Sequence, residues 1–142
     1  PEAVFAVLAD PAQHAAIDGT GWVCEALDPV PLIAAGQVFA MAMFHPNHPD
    51  GDYQIYNEVQ QLDWPAAISW KPGYLDDAGD LAFGGWVWRY DLQPVPSGGT
   101  AVTLTYDWSQ VTAQGRMVMD FPPFPPDHLS SSLAHLAALA TR

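Results

Sequence analysis

The chain reads WVWRYDL at residues 86–92 and VTLTYDW at residues 102–108, so large apolar or aromatic side chains occupy every second position of both stretches. Because side chains leave a β-strand on alternate faces, this period of two predicts two strands that share one aromatic-rich face. The proline- and glycine-containing segment at 94–99 supplies the turn between them. The predicted face consists of Trp86, Trp88, Tyr90, Leu92, Val102, Leu104, Tyr106 and Trp108.

An aromatic face of this kind has two interpretations. Tyr and Trp carry a polar atom on an apolar body, so several of them together form either a dense core or the lining of a cavity that receives a small apolar molecule. So many large residues exceed what one helix with Leu and Ala side chains is expected to cover. The excess favours the cavity.

The composition is that of one folded and acidic domain. Of 142 residues, 49% are hydrophobic and 14% are charged, which predicts a single globular domain over residues 1–142. Only 4 Lys and Arg stand against 16 Asp and Glu, and a net charge of −12 repels nucleic acid and anionic membrane surfaces. Cys24 has no second cysteine to pair with, and no stretch resembles a membrane span or a signal peptide. The sequence therefore predicts a cytoplasmic protein without nucleic-acid or membrane partners.

Sequence periodicity elsewhere predicts two short helices, further strands and one final helix. The first helices end near Ile17, and Asp10 followed by Pro11 marks the start of the second one. From Trp22 onward, alternating apolar stretches separated by turn signals predict about six antiparallel strands in sequence order. Residues 127–141 predict the longest helix. Its apolar stripe consists of Leu129, Leu133, Leu136 and Ala140.

Several of these stretches resemble a known superfamily. They read PEAVFAVLADP at residues 1–11, GQVF at 36–39, WRYDL at 88–92 and GTAVTLT at 99–105. These motifs are similar to the SRPBCC superfamily, which includes START-related lipid carriers, the birch-pollen allergen group and polyketide cyclases. The resemblance covers nearly the whole chain and implies an α+β helix-grip fold, in which a curved antiparallel sheet wraps around a long C-terminal helix and two short helices lie near the N-terminus. The motifs are structural and specify a fold better than a reaction.

The chain departs from this superfamily at its beginning. Members normally start with a strand before the helix pair, whereas the usual first strand is absent from the printed sequence, which starts with a helix. We expect either that an opening segment precedes residue 1 or that the sheet has one strand fewer. In the second case the exposed pairing edge would favour self-association as a homodimer.

The resemblance also implies a deep, mostly apolar cavity between the sheet and the C-terminal helix. Family members tend to carry polar residues where Ala40 and Ala42 stand, so the opposite face of the strand at 37–45, which ends at His45, is expected to point inward. The expected ligand is a small hydrophobic or aromatic molecule. The predicted ligand-binding residues are Phe39, Met41, Met43, Trp70, Trp86, Trp88, Trp108, Leu129 and Leu133.

His45 is the first candidate for acid–base catalysis, because it continues the inward stripe to the cavity mouth and an imidazole titrates near neutral pH. Tyr106 and Tyr90 are the candidates for a second proton-transfer group. For His45 a structural role is the alternative, since no partner at a fixed spacing supports a catalytic pair. His128 and His135 lie off the leucine stripe, and a structural or surface role is expected for both.

No motif in the sequence indicates a metal or a cofactor. The loop at 44–53 contains two His and two Asp, but its spacing matches no standard zinc site, and a hairpin loop rich in Pro and Gly accounts for it. Gly84-Gly85 and Gly98-Gly99 lack the spacing of a phosphate or dinucleotide loop. We therefore predict no metal site and no cofactor.

The residues leave the function open between different classes. One is binding of a small hydrophobic or aromatic molecule, combined in an enzyme with the cofactor-free acid–base chemistry of polyketide cyclases and dehydratases that the resemblance implies. Another is a lipid or small-molecule carrier or sensor without chemistry. The last is a module that binds a partner protein, for which Pro122–Pro126 with Phe121 and Phe124 is the visible apolar patch.

Overall fold

The computed structural model describes residues 2–18, 22–27, 30–44, 52–75, 78–111 and 127–141. These residues form an α+β structure of helices and one sheet, and no helix among them is long and apolar enough to cross a membrane. The elements are α1 (Glu2–Leu8), a 3-10 turn (Pro11–Gln13), α2 (His14–Ile17), β1 (Val23–Leu27), β2 (Val38–Phe44), β3 (Asp52–Asp63), β4 (Ala67–Leu75), β5 (Leu81–Phe83), β6 (Val87–Pro94), β7 (Thr100–Asp107) and α3 (His128–Ala140).

The strands form one curled antiparallel sheet in the order β1-β2-β3-β4-β6-β7, with β5 paired to β4. β4 runs to Leu75 through Pro72, which lacks an amide donor. The proline is tolerated because residues 67–70 pair with β6 and residues 73–75 pair with β5, which leaves Pro72 between the two partners. With the short β5 the described sheet has seven strands, where the sequence predicted about six.

β6 and β7 carry the aromatic face that the alternation predicts. Trp86 and Trp108 are the exceptions, because Trp86 precedes the first residue of β6 and Trp108 follows the last residue of β7. On the opposite face Arg89 donates hydrogen bonds to both carboxylate oxygens of Asp91, a partly exposed pair that contributes little to stability. The cross-strand pairs of the aromatic face are Trp88 with Tyr106, Tyr90 with Leu104, and Leu92 with Val102.

The C-terminal helix α3 packs through a different stripe from the predicted one. Its buried residues are His128, Ser132 and Leu136, which follow one another at every fourth position. Leu129 and Leu133 lie on the flank of this stripe and are half-buried. The prediction of a leucine stripe is therefore wrong at its N-terminal end, where two polar side chains face inward instead.

Candidate functional site

One half of the inner sheet surface is solidly packed, and we call it the packed half. It consists of His14 from α2 and Phe39, Met41, Trp70 and Tyr90 from the sheet, all of them buried. The rings of His14 and Trp70 stack with 5.0 Å between their centroids, and Phe39 meets both rings edge-on. Three predicted site residues, Phe39, Met41 and Trp70, thus lie in the hydrophobic core, where neighbouring side chains fill the space.

The buried imidazole of His14 is explained by the packing around it. Its Nε2 lies 2.8 Å from the carbonyl oxygen of Leu8, to which it can donate a hydrogen bond. Burial lowers the pKa of His14 to about 4, so the ring is neutral at pH 7. A neutral ring with a satisfied donor is a structural component of the core.

The other half of the aromatic face is less covered, and we call it the open half. It consists of Trp86, Trp88, Tyr106 and Trp108, each half-buried. Trp88 and Tyr106 contact each other edge-on with 4.5 Å between ring centroids. Beside them lies a recess of about 400 Å³, open to solvent and lined by residues 105–109. Aromatic side chains next to an accessible recess are a typical lining for an apolar ligand.

A carboxylate and an imidazole meet at the edge of the open half. Nδ1 of His128 lies 3.9 Å from Oδ1 of Asp18, and the two side chains are only 7% and 8% exposed. The ring of His128 contacts Trp88 edge-on, with 5.7 Å between centroids. Removing such groups from water costs free energy, and an apolar pair in their place is often at least as stable. The Asp18–His128 pair is therefore a candidate for function rather than for stability.

Several backbone contacts hold Asp18 in position at the end of α2. Its Oδ2 accepts a hydrogen bond from the backbone N–H of Val23, at 3.1 Å, where β1 begins. Its own backbone N–H donates to the carbonyl oxygen of His14. Nδ1 of His135 lies 3.1 Å from the carbonyl oxygen of Ile17 and 3.2 Å from that of Asp18, which ties α3 to α2. Together α2, β1 and α3 thus hold the Asp18 carboxylate beside His128.

The surroundings of His128 favour its neutral form. Burial lowers the pKa of His128, and the negative charges of Asp18 and Asp127 act in the opposite direction. In a neutral imidazole one nitrogen carries the proton and the other accepts hydrogen bonds. At 3.9 Å the contact between Nδ1 and Oδ1 of Asp18 is longer than a hydrogen bond, so it does not decide which ring nitrogen carries the proton.

The two predicted catalytic tyrosines are poor proton-transfer groups in these surroundings. Burial raises the pKa of Tyr90, and the charge of Asp18 adds to the effect. Burial also raises the pKa of Tyr106. Both phenols keep their protons at neutral pH, so they can donate hydrogen bonds to a ligand more readily than they can exchange protons with it.

The predicted site residues thus fall into separate groups. Trp86, Trp88 and Trp108 belong to the open half, and Met43 is partly buried against the core. His45 lies outside the described residues, as does the apolar segment at 121–126. Sequence reasoning missed Asp18 and gave His128 a structural or surface role. The available signal was the spacing of His128, Ser132 and Leu136, which fits a buried helical stripe as well as the leucines do.

The described residues contain no cluster of three or more His, Cys, Asp or Glu side chains that could hold a metal ion. Within this part of the chain, Asp18 and His128 could therefore supply at most two ligands to a metal ion. Two protein ligands are fewer than the three or four that zinc sites use.

Solved structures with a similar fold include three bacterial proteins. Protein Ms6760 from Mycobacterium smegmatis has a TM-score of 0.65 at 20% identity, over 99% of this chain and 83% of its own. Protein CV1439 from Chromobacterium violaceum has a TM-score of 0.66 at 21% identity, over 100% and 90%. An AHSA1 protein from Silicibacter pomeroyi has a TM-score of 0.60 at 19% identity, over 97% and 88%. No protein-family model and no curated protein sequence matches the chain.

These similarities establish the fold of the chain. A curled antiparallel sheet with a C-terminal helix is the helix-grip fold, so the fold implied by the resemblance to the SRPBCC superfamily is confirmed. At identities near one fifth, a shared fold carries no information on ligand or reaction. The function has to be argued from the site.

Proposed function

From this helix-grip fold, we propose that the protein binds a small hydrophobic or aromatic molecule on the open half of the sheet, at the recess along the end of β7. The observation that carries the proposal is the half-buried set of Trp88, Tyr106 and Trp108 beside a recess of about 400 Å³. Pockets of about 300–1,000 Å³ accommodate small organic ligands. Indole and phenol rings supply apolar surface together with polar atoms that orient a bound ring.

The contrast with the packed half limits where such a ligand binds. Residues Phe39, Met41 and Trp70 already contact core neighbours and are less than one tenth exposed. A ligand there would have to displace packed side chains. Losing the packing of one buried aromatic side chain costs on the order of 3 kcal/mol. The ligand of this proposal therefore occupies the open half and enters through the recess at residues 105–109.

The test is a titration with N-phenyl-naphthylamine, a neutral probe whose fluorescence rises in apolar surroundings and which the acidic chain does not repel. We expect saturable binding of one probe per chain. Trp88→Ala should weaken this binding about tenfold, or about 1.4 kcal/mol. The matched control is Trp64→Ala, because Trp64 is 58% exposed and contacts Phe5 away from the open half. Equal loss in both variants, or no saturable binding, contradicts the proposal.

Acid–base chemistry of the polyketide cyclase or dehydratase type is the catalytic form of the same proposal. His45, Tyr106 and Tyr90 are its sequence-predicted groups, and the buried Asp18–His128 pair is the structural feature that favours proton transfer. Replacement of His45 and Tyr106 by Phe with unchanged turnover of an identified substrate would exclude the predicted groups. Without such chemistry the protein is a carrier or sensor for the same class of molecule.

A further inference from the structure

The lining of the recess beside the open half contains a charged side chain as well as aromatic rings. Its described lining consists of Thr105, Tyr106, Asp107, Trp108 and Ser109. Asp107 is exposed, and hydrogen bonds from the hydroxyl and the backbone N–H of Ser109 lower the pKa of its carboxyl group. Burial raises the pKa of the Tyr106 phenol, which is therefore uncharged at neutral pH. Of these five residues, only Asp107 carries a charge.

Ser109 fixes the orientation of the Asp107 carboxylate. Oδ1 of Asp107 accepts a hydrogen bond from the hydroxyl of Ser109 at 2.6 Å and another from its backbone N–H at 2.9 Å. Both bonds use the same oxygen, whereas an ionised carboxylate has acceptor sites on both of its oxygens. In the part of the chain that the structure describes, Oδ2 accepts no hydrogen bond and Asp107 forms no salt bridge. Oδ2 therefore keeps its capacity to bind a ligand.

The Lys and Arg side chains within the described residues contact other groups. Arg89, on the neighbouring strand β6, donates hydrogen bonds to both carboxylate oxygens of Asp91. The ammonium group of Lys71 lies over the ring of Phe83, at 4.0 Å from its centroid. Neither side chain neutralises Asp107, and a chain with a net charge of −12 attracts cations.

The end of β7 brings the carboxylate and the rings within reach of one small molecule. Side chains alternate along the strand, so Tyr106 lies on the aromatic face and Asp107 on the opposite one. β7 is at one edge of the described sheet and ends at Asp107, and the recess is lined by residues on both sides of this end. Because consecutive Cα atoms are only about 3.8 Å apart, a ring with a short substituent can contact both groups.

We propose that the ligand is a hydrophobic or aromatic molecule with a positively charged nitrogen, which binds to Oδ2 of Asp107 while the apolar part contacts Tyr106 and Trp108. This inference rests on the proposed ligand-binding function and names the class of its ligand. The rings add to the preference, since the face of an aromatic ring attracts a cation. An anionic molecule of the same shape is repelled by Asp107. Ser109 is a positioning residue, because it acts through Asp107.

The experiment compares β-naphthylmethylamine, which is protonated at neutral pH, with β-naphthylmethanol, a neutral molecule with the same ring and linker. Calorimetric titration of the wild-type chain should show about fivefold tighter binding of the amine, or about 1 kcal/mol, which is the upper range for an exposed ion pair. Asp107→Asn keeps a side-chain oxygen that can accept from Ser109 but removes the charge. It should reduce the preference to less than about twofold and leave the binding of the alcohol unchanged.

Glu25→Gln is the matched control, because it removes one negative charge from an exposed residue of β1, at the opposite edge of the described sheet from β7. It should keep the preference for the amine at about fivefold, since exposed charges so far apart are screened by salt. Equal losses in both variants would mean that the overall charge attracts the amine, and the role of Asp107 would be rejected. Equal binding of amine and alcohol to the wild-type chain overturns the cationic preference and leaves the proposed function intact. Failure of both probes to bind overturns the proposed function itself.

A measurement on the wild-type chain covers the case in which the variants do not fold. Carbon NMR of the Asp107 carboxyl group should show a shift of its resonance on addition of the amine, and a much smaller one with the alcohol. Equal shifts with both probes, or no shift with the amine, would mean that the charged nitrogen does not reach Asp107, and the inference would be wrong.

Discussion

The packed and open halves of the inner sheet surface are both aromatic, yet they differ in what covers them. In the packed half, His14, Trp70 and Tyr90 touch ring to ring and are buried, and Phe5 and Leu8 of α1 belong to the same core. In the open half, Trp88 and Tyr106 contact each other and remain half-buried. An alternating aromatic pattern thus identifies the inner face of a sheet, whereas the elements above it determine whether that face is core or site.

The two buried histidines repeat this difference in their polar contacts. His14 bonds to a backbone carbonyl at 2.8 Å, and burial lowers its pKa to about 4. His128 faces the carboxylate of Asp18 at 3.9 Å, and the charge of that carboxylate opposes the lowering of its pKa by burial. An imidazole that stays neutral is suited to a structural role in the core, while one beside a carboxylate is suited to accepting a proton.

The largest expected effect is a difference between the two halves in how much one Trp→Ala substitution lowers the free energy of unfolding. Trp70→Ala should lower the free energy of unfolding by about 4 kcal/mol, because it opens a cavity in a packed core. Trp88→Ala should cost about 2 kcal/mol, since the half-buried ring loses less contact area. Urea denaturation followed by circular dichroism measures both values. Similar costs would mean that the open half is core and would remove the basis of the ligand site.

Acidification should affect the packed half through His14. The pKa of His14 is about 4 in the folded chain and 6.5 in the unfolded one, so the unfolded state binds more protons between these values. The associated stability is complete above pH 6.5 and is lost as the pH falls toward 4. At about 1.4 kcal/mol for each pH unit, the loss is about 3 kcal/mol.

The measurement is the free energy of unfolding across this pH range in the wild-type chain and in His14→Phe. Removal of the imidazole should flatten the decline by about that amount, because the carboxylates contribute equally to both chains. Phe39→Leu is the control, since it loosens the same ring cluster without changing a titrating group. It should lower stability at every pH and keep the slope. A His14→Phe slope equal to that of the wild type would mean that the pKa of His14 is not lowered in the folded chain.

The sheet was more predictable than the site because its signals are local. Alternation in a strand fixes the face of every side chain, so the shared face of Trp88 and Tyr106 followed from the sequence pattern. The Asp18–His128 pair joins two segments from opposite ends of the chain, and only the packing of α3 against α2 brings them together. The chain has 16 acidic residues, and no local sequence pattern distinguishes Asp18 from the others.

The helix α3 shows why the remaining part was mispredicted. Leu136 belongs both to the leucine stripe and to the stripe through His128 and Ser132, and the two stripes are rotated from each other by less than one residue step around the helix. The buried face of a helix is normally predicted from its apolar residues, and in α3 these favoured the face with Leu129 and Leu133. The polar stripe faces inward because His128 meets Asp18 and Trp88 there.

The smallest expected effect tests this orientation of α3. Leu133→Ala should cost about 1 kcal/mol, because the side chain is half-buried on the flank of the stripe. Leu136→Ala, the matched variant on the same helix, should cost about 3 kcal/mol, because Leu136 is only 2% exposed and its removal leaves a cavity. Both changes have the same helix propensity and remove the same atoms, so the difference in urea denaturation reports burial alone. Equal costs would mean that Leu133 is buried as deeply as Leu136, and that the predicted leucine stripe, rather than the stripe through His128, faces the core.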